Sequence, residues 1–175
     1  MFIHVACEIV LLSACLAASL VCWKRRDALA AIGFALIGIA SALGALEYAG
    51  LAGLGEPHRF ASRLSGKISL FLVALDALRV PGSWLLAALA LAAFPFLPPF
   101  VSLAVNIVAL AGIVWGGRRH ALWSSLAGAV LFALAGLLIG TKGEWHGFAR
   151  LDLYHLAIAA AVACWAAGSL RRGRT

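Results

Sequence analysis

The sequence predicts an all-α protein: a polytopic membrane helical bundle of about seven transmembrane helices, one integral membrane domain over residues 1–175, N-terminus outside and C-terminus cytoplasmic. Three observations predict it. Of the 175 residues, 64% are hydrophobic and 12% charged, well above the apolar share of about half in soluble domains, and mean hydropathy is +1.02. The apolar residues fall in long runs, and at about 20 residues per crossing the chain has room for roughly seven. The Lys and Arg residues gather between alternate runs, as the positive-inside rule requires. Such a chain leaves no space for a soluble catalytic domain, a nucleotide-binding fold or a DNA-binding module. The net charge of +7 would suggest nucleic acid in a soluble protein; here topology accounts for it, so membrane lipid is the expected partner and nucleic acid is not.

The first run is Met1 to Trp23, closed by Lys24, Arg25, Arg26 and Asp27. A secretory signal has its positive residues ahead of the apolar stretch, whereas here they follow it, which predicts an uncleaved helix. The second run, Ala28 to about Gly50, carries Gly33, Gly38, Ser41 and Gly44, small residues that permit close helix contact. Pro57 suits a first helical position, so a third helix is expected from there to Val80, ended by Pro81-Gly82. Ser83 to Leu97 and Phe100 to Gly116 form short fourth and fifth spans around Pro98-Pro99, near the lower length limit for crossing. The sixth is Ala121 to Gly140, and a polar loop, Thr141 to Gly147, leads to the seventh, Phe148 to Leu170. With the N-terminus outside, nine Lys and Arg fall on the cytoplasmic side against Asp27 and Asp76, while the outer side holds five of each sign. A bacterial inner membrane is the expected location.

Ionisable groups inside a membrane are costly, and each calls for a partner or a function. His4, Glu8, Glu47, His58, Asp152 and His155 come from four separate runs yet all fall at a similar outer depth. On helix one, His4 and Glu8 are four apart on one face, continued by Cys15 and Cys22. On helix three, His58, Ser62, Ser65, Ser69 and Asp76 share a stripe, but Asp76 lies about 27 Å beyond His58 at 1.5 Å per residue and is expected to pair with Arg79. Arg59, Arg63 and Lys67 form a second, basic stripe suited to lipid headgroups. On helix seven, Asp152 and His155 are three apart. Histidine with a neighbouring carboxylate is a zinc-ligand pattern, and equally a proton-sharing network that holds helices in register. The four cysteines show no disulfide framework and read as small apolar packers.

The stretch Arg150-Leu151-Asp152-Leu153-Tyr154-His155-Leu156 resembles the last-helix motif of uncharacterised bacterial seven-helix membrane proteins. More distantly it is similar to the superfamily of alkaline ceramidases and progestin/adiponectin receptor-like proteins. That resemblance implies a zinc-dependent membrane hydrolase, with His58 as the early histidine, Ser62 or Ser65 as the serine and His155 as one late histidine. The chain departs from the pattern at Leu151, where the superfamily has a second late histidine, and in the order of Ser and His on helix three.

Together these readings give an expected zinc-dependent hydrolase of a lipid amide or ester at the outer leaflet. His58, His155, Asp152 and His4 would hold zinc, Glu8 and Glu47 would move protons, with Ser62 or Ser65 beside them, and Arg59 and Arg63 would meet the headgroup. The alternatives are a proton-coupled transporter or binding protein using the same cluster, a haem protein ligated through His58 and His155, and an accessory subunit without a ligand.

Overall fold

The computed structural model describes residues 2–171; the basic residues Arg172 and Arg174 of the tail lie outside the described residues. The chain is all-α, with seven helices: α1 (Phe2–Lys24), α2 (Ala28–Tyr48), α3 (Gly55–Leu78), α4 (Ser83–Ala93), α5 (Pro99–Gly117), α6 (Leu122–Leu134) and α7 (Arg150–Arg171). Among them α1, α2, α5, α6 with its continuation to Ile139, and α7 are long and apolar enough to cross a membrane. Two of the seven expected spans differ. The α4 helix stops after 11 residues, about 16 Å of rise, because Pro95 turns the chain into a 3-10 segment at Phe94–Phe96. The α3 helix is long enough at 24 residues, but Arg59, Arg63, Lys67 and its serines make it amphipathic rather than apolar.

Six helices form a ring in the order α1, α2, α3, α5, α6, α7 and back to α1, while α4 packs outside against α3. Small residues set the close approaches that helix association in lipid depends on. A Cβ on Gly33 would sit 2.7 Å from the carbonyl oxygen of Ser69, and one on Gly38 would touch Cys15 Cβ at 3.3 Å. Ser19 Oγ donates to the Ala31 carbonyl across the same α1–α2 seam at 2.9 Å. Asp76 takes a different partner from the expected Arg79: its Oδ2 accepts from the Ala30 N–H at 2.7 Å. It thus satisfies one of the orphan donors of the first turn of α2 and places negative charge at that helix's positive end.

The two halves of the ring differ. At the basic end, where Lys24, Arg25, Arg79, Arg118 and Arg119 lie, Phe34, Trp165, Cys22, Val73, Ile113 and Val162 fill the centre. Trp165 lies between the rings of Phe34 and Phe132, at 6.3 and 5.9 Å, and its Nε1–H donates to the Ser125 carbonyl at 3.2 Å. Cys7, Cys15 and Cys22 are buried thiols on the inward face of α1. The opposite end holds the histidines and acids and encloses a cavity.

Beyond α6 the chain winds through a π-helical turn, Ala135–Ile139, and the expected polar loop contains a two-stranded hairpin, Glu144–Trp145 against Phe148–Ala149. His146 and Gly147 both have positive φ, 51° and 81°, as a two-residue type I′ turn requires. That hairpin delays the start of α7 to Arg150.

Gly33→Ala is expected to part α2 from α3 and to lower stability by about 1–3 kcal/mol. Thermal unfolding of the detergent-solubilised protein measures it, and an unchanged midpoint would show that the seam relaxes freely.

Candidate functional site

Glu8 is the centre of the histidine-rich end. It lies two turns into α1 and is 1% exposed. Its carboxylate packs against Gly44 of α2, where any Cβ would collide with it and would stand 3.0 Å from His58 Nε2. Glu8 and His58 therefore point at the same spot, and only glycine leaves room for both. From α7, His155 brings Nδ1 to 3.6 Å from Glu8 Oε1, beyond hydrogen-bond length. Ser41 lies beside the carboxylate. Yet both oxygens of Glu8 and Nδ1 of His155 are buried with no hydrogen-bond partner of normal geometry.

Two further carboxylate–imidazole pairs flank this centre. His58 Nδ1 meets Glu47 Oε2 at 2.6 Å, which leaves Nε2 directed inward. His4 Nδ1 meets Asp152 Oδ1 at 2.6 Å and ties the first turn of α1 to that of α7. Tyr48 stands between the two pairs, its ring 5.6 Å from that of His4 and 6.0 Å, edge-on, from that of His58. The expected convergence of runs one, two, three and seven is thus realised in space: Asp152, His58 and His4 all lie within electrostatic reach of His155.

Glu8, His58 and His155 line a cavity of about 310 Å³. Its α3 wall carries Ser62, Ser65 and Ser69, and its far wall carries Phe132, Thr141 and Ile158. His4, Asp152 and Glu47 stand behind the lining and position it. Ser62 is exposed and Ser65 is buried; Ser65 Oγ donates to the Ser62 carbonyl at 3.1 Å, while Ser69 Oγ is buried without a partner. Arg59 and Arg63 are exposed at this end of α3, with Arg59 Nη2 2.5 Å from Glu56 Oε1. Lys67, from the same basic stripe, serves a structural purpose: its Nζ donates to the Leu97 carbonyl at 2.7 Å and lies over the Phe94 ring.

Zinc needs three or four side chains converging on one point. The four residues that the sequence offers as ligands divide instead among three contacts: His4 with Asp152, His58 with Glu47, and His155 beside Glu8. Among the described residues, no group of three or more His, Cys, Asp and Glu side chains is disposed to hold a metal ion. Glu8 also lies between the imidazoles of His58 and His155, where axial haem ligation would need a porphyrin plane. Comparison with family models, curated proteins and solved structures finds no match for this chain.

Three contributions escape a reading by residue type. Gly44 is chemically mute in sequence, although its spacing of three from Ser41 puts both on the α2 face that meets Glu8. Tyr48 and Thr141 sit at a helix end and in a loop, where no periodicity points them inward.

A double-mutant cycle with His4→Ala and Asp152→Asn is expected to show a coupling of about 1–3 kcal/mol. Chemical or thermal unfolding measures it, and additive effects would mean that the pair does not bind α1 to α7.

Proposed function

We propose that the chain is a membrane-embedded hydrolase of a lipid amide or ester. In this reading all seven helices cross or enter a bacterial inner membrane with the N-terminus outside, and the cavity faces the outer leaflet. The observation that carries it is the convergence of Glu8, His58 and His155 on the wall of one cavity whose opposite end is closed by packed aromatic rings. Buried polar atoms without partners are expensive. A carboxylate and two imidazoles that meet at one point on a cavity wall are equipped to receive a polar group there.

The chemistry follows from the positions. A water between Glu8 and His155 loses its proton to the Glu8 carboxylate as its oxygen attacks the acyl carbon. The carbonyl π electrons pass to the oxygen, which Tyr48 and the Ser62 hydroxyl are placed to stabilise. Collapse of the tetrahedral adduct expels the amine or alkoxide, which takes a proton from His58 Nε2, while Glu47 on Nδ1 holds that ring and its charge, as a carboxylate does in hydrolytic triads. Glu8 then passes its proton to His58 Nε2, which restores both groups. Arg63, and Arg59 beside Glu56, stand at the mouth for a headgroup phosphate. No step is routed through zinc, because the residues named for it do not converge.

The closed basic half favours a one-sided chamber over a transport path, which needs access from both sides. Phe34, Trp165 and Val162 occupy the route from the cavity to that end.

The test uses purified protein with fluorogenic acyl-amide and acyl-ester lipids. Glu8→Gln and His58→Ala are expected to lower kcat by about 10²–10⁴-fold with helicity retained, and chelator is expected to leave the wild type active. Chelator-sensitive activity restored by zinc would replace this scheme with the metal-dependent one that the last-helix resemblance implies. Inactivity on every acyl lipid together with a proton-linked flux in liposomes, lost in Glu47→Gln, would replace both with transport.

A further inference from the structure

At the opposite end of the bundle a second cavity, of about 330 Å³, opens where the last turns of α3 and α5 meet the turn into α6. Arg79, Arg118, Arg119, His120, Trp115 and Gly116 line it, with Ala77 and Leu78. Among the described residues, no carboxylate lines it. Gly116 packs directly on the Ala77 carbonyl, where any Cβ would collide, so α3 and α5 touch at the floor and their terminal turns splay into walls.

Helix C-termini ordinarily offer carbonyls, which attract cations and repel anions. Here several of those carbonyls are occupied. Trp115 O accepts from both the backbone N–H and the Nη1 of Arg118, at 3.3 and 3.0 Å. Asp76 O and Leu75 O accept from the N–H groups of Arg79 and Val80 at 3.2 Å, and Gly117 O from those of His120 and Ala121. The charged groups among the described lining residues are the guanidiniums of Arg79, Arg118 and Arg119, with the His120 imidazole beside them. Arg118 also stacks on Trp115, its Cζ 3.8 Å from the ring centroid, which fixes a planar fork of donors at the rim. Trp115 is 61% exposed, as suits a residue at the membrane–water interface.

We propose that this cavity binds a phosphate group carrying net negative charge, with Arg79, Arg118 and Arg119 as its ligands. Forked guanidinium donors match phosphate oxygens in geometry as well as charge. An anionic phospholipid headgroup or a free phosphate would supply the same chemistry. The site is at the far end from the catalytic cavity and does not depend on it.

The full-length protein in non-ionic detergent is titrated with phosphatidylglycerol or phosphatidylcholine, and bound lipid is counted by native mass spectrometry. One phosphatidylglycerol per chain is expected to be retained in preference to phosphatidylcholine. Arg118→Gln and Arg119→Gln are each expected to weaken retention about fivefold, Arg119→Lys to recover part of it, and Arg25→Gln, outside the cavity, to change nothing. Displacement by inorganic phosphate, but not by chloride at matched ionic strength, assigns the site to phosphate itself; resistance to both assigns it to the lipid. Equal retention of the two lipids by the wild type, or an equal loss in Arg25→Gln, overturns the proposal. The wild-type comparison decides even where a substituted chain does not fold.

Discussion

A carboxylate two turns inside an apolar helix can be left neither in hydrocarbon nor against an ordinary packed core, and the arrangement of the acid–histidine end follows from that constraint. Glu8 needs a neighbour without a side chain, and Gly44 provides it. It needs polar company, and His155, His58 and Ser41 arrive from three other helices. Each of those groups brings its own requirement: His58 is held by Glu47, and the first turn of α7 is held by the contact of His4 with Asp152. The ring of helices is therefore joined at one end by charge and hydrogen bonding and at the other by the packing of Phe34, Trp165 and their neighbours. The cavity lies where the first kind of joining leaves polar atoms unspent.

Much of this was legible in the residues. Apolar runs and basic punctuation set the number and order of the helices to within a few residues at most boundaries. The depth of His4, Glu8, Glu47, His58, Asp152 and His155 along their runs is enough to place them at one end. Pairing was not legible. The sequence offers three carboxylates and three imidazoles at one depth, and which joins which depends on helix rotation, set by the glycine contacts of α2. For the same reason the four residues suited to zinc by type are dispersed into pairs. The fourth span reads as a crossing by hydropathy alone, but Pro95 shortens the helix. The hairpin signal, His146-Gly147, is two residues long and easily lost between apolar runs.

The two ends of the molecule also show how one kind of side chain takes different parts. Arg59 at the acid–histidine end meets a carboxylate one turn away, and Lys67 spends its charge on a carbonyl and an aromatic face. At the basic end Arg118 uses one face on Trp115 and one nitrogen on that residue's carbonyl, and still presents its remaining donors. Net charge, which first indicated orientation, says nothing of these differences; they follow from what each helix end leaves exposed.

The position of α4 outside the ring has a topological reason. Because α3 and α5 both run from the acid–histidine end to the basic end, they are parallel neighbours, and a chain can place two parallel helices side by side only if it travels back between them. The α4 helix and its 3-10 turn are that return, a crossover rather than a wall. It is clasped at its far end by Lys67 of α3, so the seam between α3 and α5 is strapped from outside by a connection of fixed length. A change in the spacing of α3 and α5 therefore has to be taken up by this connection as well as by the helix contact itself.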